Sequence, residues 1–256
     1  MQLSPAPCWT PTHSALPVIL KVCCIKSVEE AALAIRYGAS ALGLVAKMPS
    51  GPGCIEEGTI AEICAWLNAE APDVWSFLLT PEQDVAAIVE QQKRLKANTL
   101  QLVDALTTGS YADLRQALPS VRIVQVLHVE DDTVVAQARR FGPEEVDAIL
   151  LDSGRPSLAI KELGGTGRVH DWAISKLVVE AARVPVFLAG GLKDVNVADA
   201  IRQVKPHGLD LCSGLRSGPD FDLDEEKLAA FVRAVALTAA PNGGATDNRQ
   251  VGNNHH

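Results

Sequence analysis

A carboxylate that ends an apolar segment of the chain is a candidate for acid–base chemistry. Asp152 follows the apolar residues 149–151. In a dry pocket the pKa of a carboxyl group rises, and the group can then act as a general acid near neutral pH. Alternatively, Asp152 caps a helix or lies in an exposed turn. Its position alone does not decide between these two interpretations.

A lysine and a cysteine stand two residues apart in the first apolar segment. Side chains alternate between the two faces of a strand, so Lys21 and Cys23 point to the same face. A lysine on a buried strand needs carboxylate partners, which predicts that both residues face a polar interior. A cysteine there can act as a base or a nucleophile if its thiol ionises. The alternative, a buried inert cysteine, is the more common case and is favoured by these residues alone.

Two glycine-rich turns predict a phosphate site. Gly190 and Gly191 follow one apolar segment, and Ser213 and Gly214 follow the next. Glycine allows the backbone to approach a ligand closely, and backbone N–H groups can bind phosphate without nearby charge. We favour this interpretation over tight turns without a ligand. Gly165, in a Gly-Gly-Thr-Gly string of the longest loop, is a weaker candidate for a substrate loop.

Eight short apolar segments, each followed by a helical pattern, must position these residues. The segments are continuously apolar, as expected of parallel strands buried on both faces. We predict strands at 18–24, 41–45, 74–79, 99–103, 123–127, 148–151, 186–189 and 209–212. Eight such units in 256 residues predict a single-domain (β/α)₈ barrel, whose active site lies at the C-terminal ends of the strands. A doubly wound open sheet is the alternative, but it usually has fewer units.

We predict a flexible N-terminal segment at 1–17, the barrel at 18–237 and a flexible tail at 238–256.

The composition indicates which kinds of partner the protein can bind. The net charge of −8 argues against a nucleic-acid partner, and no apolar run is long enough to span a membrane. The six cysteines are scattered and lack zinc-ligand spacing, which predicts reduced thiols in a cytoplasmic protein and no metal site.

Five strings, in this order and at fitting spacings, resemble the phosphoribosylanthranilate isomerase family of tryptophan biosynthesis. They are Lys-Val-Cys at 21–23, Leu-Leu-Asp-Ser at 150–153, Gly-Gly-Thr-Gly at 164–167 with Asp-Trp at 171–172, Leu-Ala-Gly-Gly-Leu at 188–192 with Asn-Val at 196–197, and Asp-Leu-Cys-Ser-Gly at 210–214. Each string is unspecific, whereas the ordered set is specific and covers most of the chain.

The resemblance implies an Amadori rearrangement of an aminoaldose phosphate to an aminoketose phosphate, with no cofactor or metal. It implies that Asp152 is the general acid and Cys23 the general base, against the interpretation of Cys23 as inert. The two glycine turns would hold the phosphate of a small-molecule substrate. The remaining candidate binding residues, at strand ends or in the long loop, are Lys47, Gln101, Gly165 and Asp210.

The chain departs from the family pattern around the head group of the substrate. Cys24 stands where the family has glycine, and the loop at 47–54 lacks the arginine that binds the anthranilate carboxylate. Lys47 is a candidate replacement, although lysine cannot form a bidentate pair. These departures leave two alternatives open: an isomerase of another phosphosugar, and a non-catalytic barrel that binds a phosphorylated ligand. Asp104 and His128 have no assigned role, and we interpret His128 as a surface turn residue.

Overall fold

A closed barrel of eight parallel strands forms the centre of the molecule, as predicted. The computed structural model describes residues 9, 15–49, 51–154, 167 and 169–239. Each strand pairs with its sequence neighbours, and β8 closes on β1. The strands are β1 Ile19–Val22, β2 Ala41–Val45, β3 Trp75–Thr80, β4 Thr99–Leu102, β5 Arg122–His128, β6 Ala148–Asp152, β7 Val186–Leu188 and β8 Gly208–Leu211.

Within the described residues, eight α-helices surround the barrel, one after each strand, and a short 3-10 helix at Ser213–Leu215 follows the last strand. They are α1 Val28–Arg36, α2 Glu57–Glu70, α3 Val85–Leu95, α4 Tyr111–Ala117, α5 Thr133–Ala138, α6 Trp172–Ala181, α7 Val197–Val204 and α8 Glu225–Leu237. The predicted N-cap of α1 is confirmed, because the Ser27 hydroxyl accepts a hydrogen bond from the Glu30 N–H. A short hairpin of β9 Arg216–Ser217 and β10 Asp222–Leu223, which the sequence did not predict, separates β8 from α8.

The apolar core has two layers, because successive side chains of each strand face opposite ways. On β1, Leu20 and Val22 pack outward against the helices, whereas Ile19 and Cys23 belong to the layer inside the barrel. Lys21 also faces inward and meets Asp210, so the prediction of a shared inner face is confirmed.

Trp9 closes the N-terminal end of the barrel. Its ring is buried against Trp75, Phe77 and Phe187, with centroid distances of 4.9, 5.8 and 5.4 Å. Its indole N–H donates to the carbonyl oxygen of Asp147 at 3.0 Å. This residue lies in the segment that we predicted to be flexible, and it is fixed to the barrel instead. Within the described ranges, no helix is long and apolar enough to cross a membrane.

Candidate active site

A cavity of about 720 Å³, including its part open to solvent, lies at the C-terminal ends of the strands. Eight of the ten predicted site residues line it: Cys23, Gln101, Asp152, Gly190, Gly191, Asp210, Ser213 and Gly214. Lys47 is exposed and is not part of the lining. Gly165 lies outside the described residues. The barrel therefore brings acid, base and phosphate candidates to one place, as its topology requires.

Cys23 follows β1 and projects into the cavity, where its side chain is almost fully buried. Burial raises the pKa of its thiol to about 11, and the carboxylate of Asp210 adds to this effect. The ammonium group of Lys21 opposes it, because a nearby positive charge favours the thiolate. The thiol is therefore mostly neutral, and Lys21 is the largest of the influences that favour its ionisation, followed by a hydrogen bond from the backbone of Cys24.

Lys21 and Asp210 form a buried ion pair below Cys23. The Nζ atom of Lys21 lies 2.8 Å from Oδ1 of Asp210, and the lysine side chain is inaccessible to solvent. Burial acts to lower the pKa of Lys21, but Asp210 and then Cys23 outweigh it and raise the pKa above its ordinary value. The lysine therefore keeps its charge in the interior. Its Nζ atom also lies 5.1 Å from the centre of the Phe77 ring.

Asp152 ends β6 and also lines the cavity, in register with His128 at the end of β5. Burial raises the pKa of its carboxyl group, and Asp210 adds to the rise, whereas the N–H of Ser153 and the ring of His128 lower it. The Ser153 N–H donates to Oδ1 of Asp152 at 2.7 Å. A carboxyl group with a raised pKa at the mouth of a barrel is suited to proton donation.

His128 is half-buried in the barrel wall, so the interpretation as a surface turn residue was wrong. It is the last residue of β5, and its Nε2 lies 3.0 Å from the carbonyl oxygen of Val103. Asp104 belongs to the turn after β4, where its carboxylate accepts the N–H of Ala105 at 2.8 Å.

The two predicted phosphate turns lie side by side. Gly190 and Gly191 have φ values of 86° and 62°, which favour glycine. A Cβ atom on Gly214 would collide with the carbonyl oxygen of Leu192, so the second turn also requires glycine. Asn196 fixes the first turn, because its Nδ2 donates to the carbonyl oxygen of Gly191 at 3.1 Å and its Oδ1 accepts the N–H of Lys193 at 2.8 Å.

Gly43, which was not among the predicted site residues, leaves the space that the side chain of Cys23 occupies. It lies on β2, and a Cβ atom there would be 2.5 Å from Sγ and 3.0 Å from Cα of Cys23. The absence of a side chain therefore makes the space that the Cys23 thiol occupies. A glycine inside a continuously apolar strand often marks such a close approach, and this signal was available in the sequence.

Cys24 and Cys212 form a disulfide, which corrects the prediction that all thiols are reduced. Their Cα atoms are 6.0 Å apart, a usual separation for this bond. Cys24 has a φ of 63° and leaves the regular strand path, so its side chain does not simply oppose that of Cys23. Cys23, Cys54 and Cys64 are free.

Among the described residues, no group of three or more His, Cys, Asp or Glu side chains could hold a metal ion. The chemistry available at the cavity is that of an acid, a base and backbone donors. These features define a (β/α)₈-barrel protein with a candidate active site at the C-terminal ends of its strands.

Residues 19–234 match the family model for N-(5'-phosphoribosyl)anthranilate (PRA) isomerase, and the chain belongs to this family. It is 36% identical over 214 residues to N-(5'-phosphoribosyl)anthranilate isomerase 2 of Methanosarcina mazei. The matched region covers 83% of this chain and 92% of the relative. The crystal structure of phosphoribosyl anthranilate isomerase from Thermus thermophilus superposes with a TM-score of 0.69 at 24% identity, covering 86% and 99% of the two chains.

A second solved structure of the family was obtained in complex with reduced 1-(o-carboxyphenylamino)-1-deoxyribulose 5-phosphate. It has a TM-score of 0.66 and 22% identity to this chain, and the match covers 85% of this chain and 98% of that one.

Proposed function

We propose that this chain is a phosphoribosylanthranilate isomerase that converts an aminoaldose phosphate to the corresponding aminoketose phosphate. The observation that carries the proposal is the placement of Cys23 and Asp152 in the lining of one cavity that also contains both glycine turns. The family membership supports the same reaction. Because the family serves tryptophan biosynthesis, we also propose a cytoplasmic location.

In the proposed reaction, Asp152 donates its proton to the ring oxygen of the ribose, and the ring opens to a Schiff base. Cys23, as thiolate, then removes the proton from C2, and the electron pair of that C–H bond forms the enolamine. Tautomerisation of the enolamine gives the ketose. The raised pKa of Asp152 keeps its proton available, and the charge of Lys21 favours the thiolate.

We propose that the turns at Gly190–Gly191 and Ser213–Gly214 bind the substrate phosphate. Their closeness to each other supports this assignment. Gly167 also belongs to this region, because a Cβ atom there would lie 3.2 Å from the Ser213 hydroxyl oxygen. Backbone N–H groups can hold an anion in such turns without a cationic side chain.

The lining of the cavity also favours a second candidate, an isomerase whose substrate has an uncharged head group. Among the described residues, the lining contains no lysine, arginine or histidine, and its two carboxyl groups are those of Asp152 and Asp210. The apolar side chains of the cavity lining include Val45, Leu79 and Val103, against which a flat aromatic ring can pack. The aromatic ring of anthranilate fits this wall, but its carboxylate has no counter-charge within the described part of the lining.

Turnover of freshly generated phosphoribosylanthranilate, followed by the loss of its fluorescence, tests the proposal. We expect Cys23→Ala and Asp152→Ala each to lower kcat by about 10²-fold or more. Cys54→Ser, which changes an exposed cysteine, is the matched control and should turn over normally. Retained turnover in Cys23→Ala, within about twofold, would refute the assignment of the base.

Turnover of the phosphoribosyl derivative of aniline, followed by chromatography of the ketose product and compared with that of phosphoribosylanthranilate, separates the two candidates. This compound has the ring of anthranilate and lacks its carboxylate. A preference for the aniline compound would favour the uncharged head group, whereas a preference for the anthranilate compound would show that the carboxylate is bound. Absence of turnover with both, from a folded protein that binds inorganic phosphate, would favour the non-catalytic alternative.

A further inference from the structure

A covalent bond joins the segment that carries the base to the segment that carries the phosphate turn. Cys24 directly follows Cys23 after β1, and Cys212 directly precedes Ser213 after β8. The two bonded cysteines are 188 residues apart in sequence, and both line the cavity. The bond therefore lies between two parts of the site that must keep a fixed distance for one substrate to reach both.

The bond continues the pairing of β1 with β8 beyond its last backbone contact. The register of the two strands ends with Val22 opposite Leu211, and the Cys23 N–H donates to the Leu211 carbonyl oxygen at 2.7 Å. The disulfide is the next connection toward the cavity mouth. Parallel strands diverge once their hydrogen bonds end, so a crosslink at this point holds the two loops together.

Arg216 ties the same two segments together without a covalent bond. Its guanidinium donates to the Cys23 carbonyl oxygen at 2.7 Å and to both carboxylate oxygens of Glu30 at 2.9 and 2.8 Å. The backbone of Cys23 therefore stays attached to the β8 side when the disulfide opens. Arg216 lies two residues after Gly214, so opening the disulfide is expected to loosen Ser213 and Gly214 locally, between the end of β8 and Arg216.

The loop after β2 is shaped around the side chain of Cys24. A Cβ atom on Gly53 would lie 2.6 Å from Cβ and 2.7 Å from Sγ of Cys24, and Gly53 has a φ of 81°. Cys24 itself has a φ of 63°, a conformation that favours glycine over cysteine. Because this conformation is unfavourable for cysteine, we infer that the disulfide bond to Cys212 compensates for its cost.

We propose that the Cys24–Cys212 bond is a reversible positioning crosslink, which fixes the phosphate turn relative to the base when oxidised and releases it when reduced. The proposal rests on the proposed function. It assigns Cys24 and Cys212 as positioning residues for the reaction and makes substrate affinity dependent on the thiol–disulfide balance. In reducing compartments, the disulfides that do form are usually of this redox-responsive kind.

The oxidant is a small disulfide such as oxidised glutathione. The Cys212 thiolate attacks one of its sulfurs and expels a thiolate, and the Cys24 thiolate then attacks Cys212 and releases the second thiolate. Two protein thiols are oxidised and one small disulfide is reduced. The reverse reaction can begin at Cys212, because its side chain is half-buried and lines the cavity, whereas Cys24 is buried.

The test compares the full-length protein equilibrated with oxidised glutathione and with dithiothreitol, with the bond verified by alkylation and mass spectrometry. We expect reduction to raise KM, and the Kd of inorganic phosphate, by roughly threefold to tenfold, because the turn must be ordered on binding. The change in kcat should be smaller. A purely structural crosslink would alter thermal stability but would leave KM and the phosphate Kd unchanged.

Matched variants make the test specific. Cys24→Ser and Cys212→Ser should have the affinity of the reduced protein under both conditions, whereas Cys54→Ser should respond as the wild type does. Equal KM and phosphate Kd, within twofold, in verified bonded and reduced wild type would overturn the proposal, as would failure of the bond to form. If no redox state shows turnover but the phosphate Kd still shifts, the proposed function fails and the crosslink stands.

Discussion

The charge of Lys21 is expected to control how readily Cys23 ionises, and replacing this lysine tests the electrostatics of the whole site. Lys21→Met keeps the length of the side chain and removes the ammonium group that opposes the rise in the Cys23 pKa. The lysine is fully buried and lies 2.8 Å from Asp210, so solvent cannot supply a substitute charge. The variant should therefore have a less ionised thiol.

The magnitude follows from the pKa of about 11 for Cys23 in the native protein. At pH 8 roughly one thiol in a thousand is ionised, and this fraction rises about tenfold per pH unit up to pH 10. A thiol with the ordinary pKa of about 8.5 would instead level off by roughly pH 10. Losing an opposite charge at close range raises the pKa further, so Lys21→Met should react at least about tenfold more slowly at any of these pH values.

Alkylation by iodoacetamide, with each cysteine followed by peptide mass spectrometry, measures this ionisation directly. The exposed Cys54 reports the reagent's own behaviour in the same sample. Lys21→Arg, which keeps the positive charge, should recover much of the reactivity of Cys23. Urea unfolding must accompany the comparison, because Lys21→Met leaves the buried Asp210 without its partner.

The steady-state rate should respond differently to pH. In the proposed mechanism the active form has the thiolate of Cys23 and the protonated carboxyl group of Asp152, and both pKa values are raised. Between the two pKa values, the gain in thiolate with rising pH balances the loss of protonated carboxyl, so kcat/KM should stay level. Lys21→Met should lower this level without tilting it. A Cys23 that alkylates with a midpoint near 8.5, or at the same rate in Lys21→Met, would refute this account.

Three further predictions concern the carboxyl group, the space around the thiol and the closed end of the barrel. The raised folded-state pKa of Asp152 means that stability falls as pH rises through it. Asp152→Asn should therefore be more stable than the wild type in urea at pH 8, with the difference closing toward about pH 4; an Asn variant less stable at pH 8 would contradict the raised pKa. Gly43→Ala should lower kcat about tenfold or more with little effect on phosphate affinity, because its methyl group would displace the Cys23 thiol; an unchanged kcat would show that the thiol has room to move. Trp9→Ala should cost about 3–5 kcal/mol in urea unfolding and leave kcat unchanged, because the ring is buried at the end of the barrel away from the cavity; a cost below about 1 kcal/mol would mean that this residue does not close the barrel in solution.

The barrel and most of its site could be predicted because both depend on local patterns. Each strand is a short apolar run, and parallel strands bring their C-terminal ends to one edge, so residues as distant as Cys23 and Asp152 line one cavity. The inward direction of Lys21 followed from strand alternation alone. None of these inferences required knowledge of which distant residues touch.

The features that were missed depend on contacts between distant segments. Trp9 stands in a stretch rich in proline and polar residues, and no local pattern shows that its ring meets Phe77 and Phe187. The short hairpin at Arg216 and Asp222 was missed because strands of two residues carry no periodicity. Lys47 is polar and near a strand end, but the structure leaves it exposed and off the lining of the cavity.

The disulfide shows most clearly how a local rule can mislead. Alternation on a strand implies that Cys23 and Cys24 point to opposite faces, and the scattered cysteines implied reduced thiols. The positive φ of Cys24, two residues after β1, ends the alternation, and its side chain then meets Cys212 where β1 and β8 close the barrel. The departure from the family glycine at this position was therefore the informative signal. A residue that replaces glycine where glycine is conformationally favoured must gain its stability from a contact elsewhere, and here the partner lies 188 residues away, beside the proposed phosphate turn.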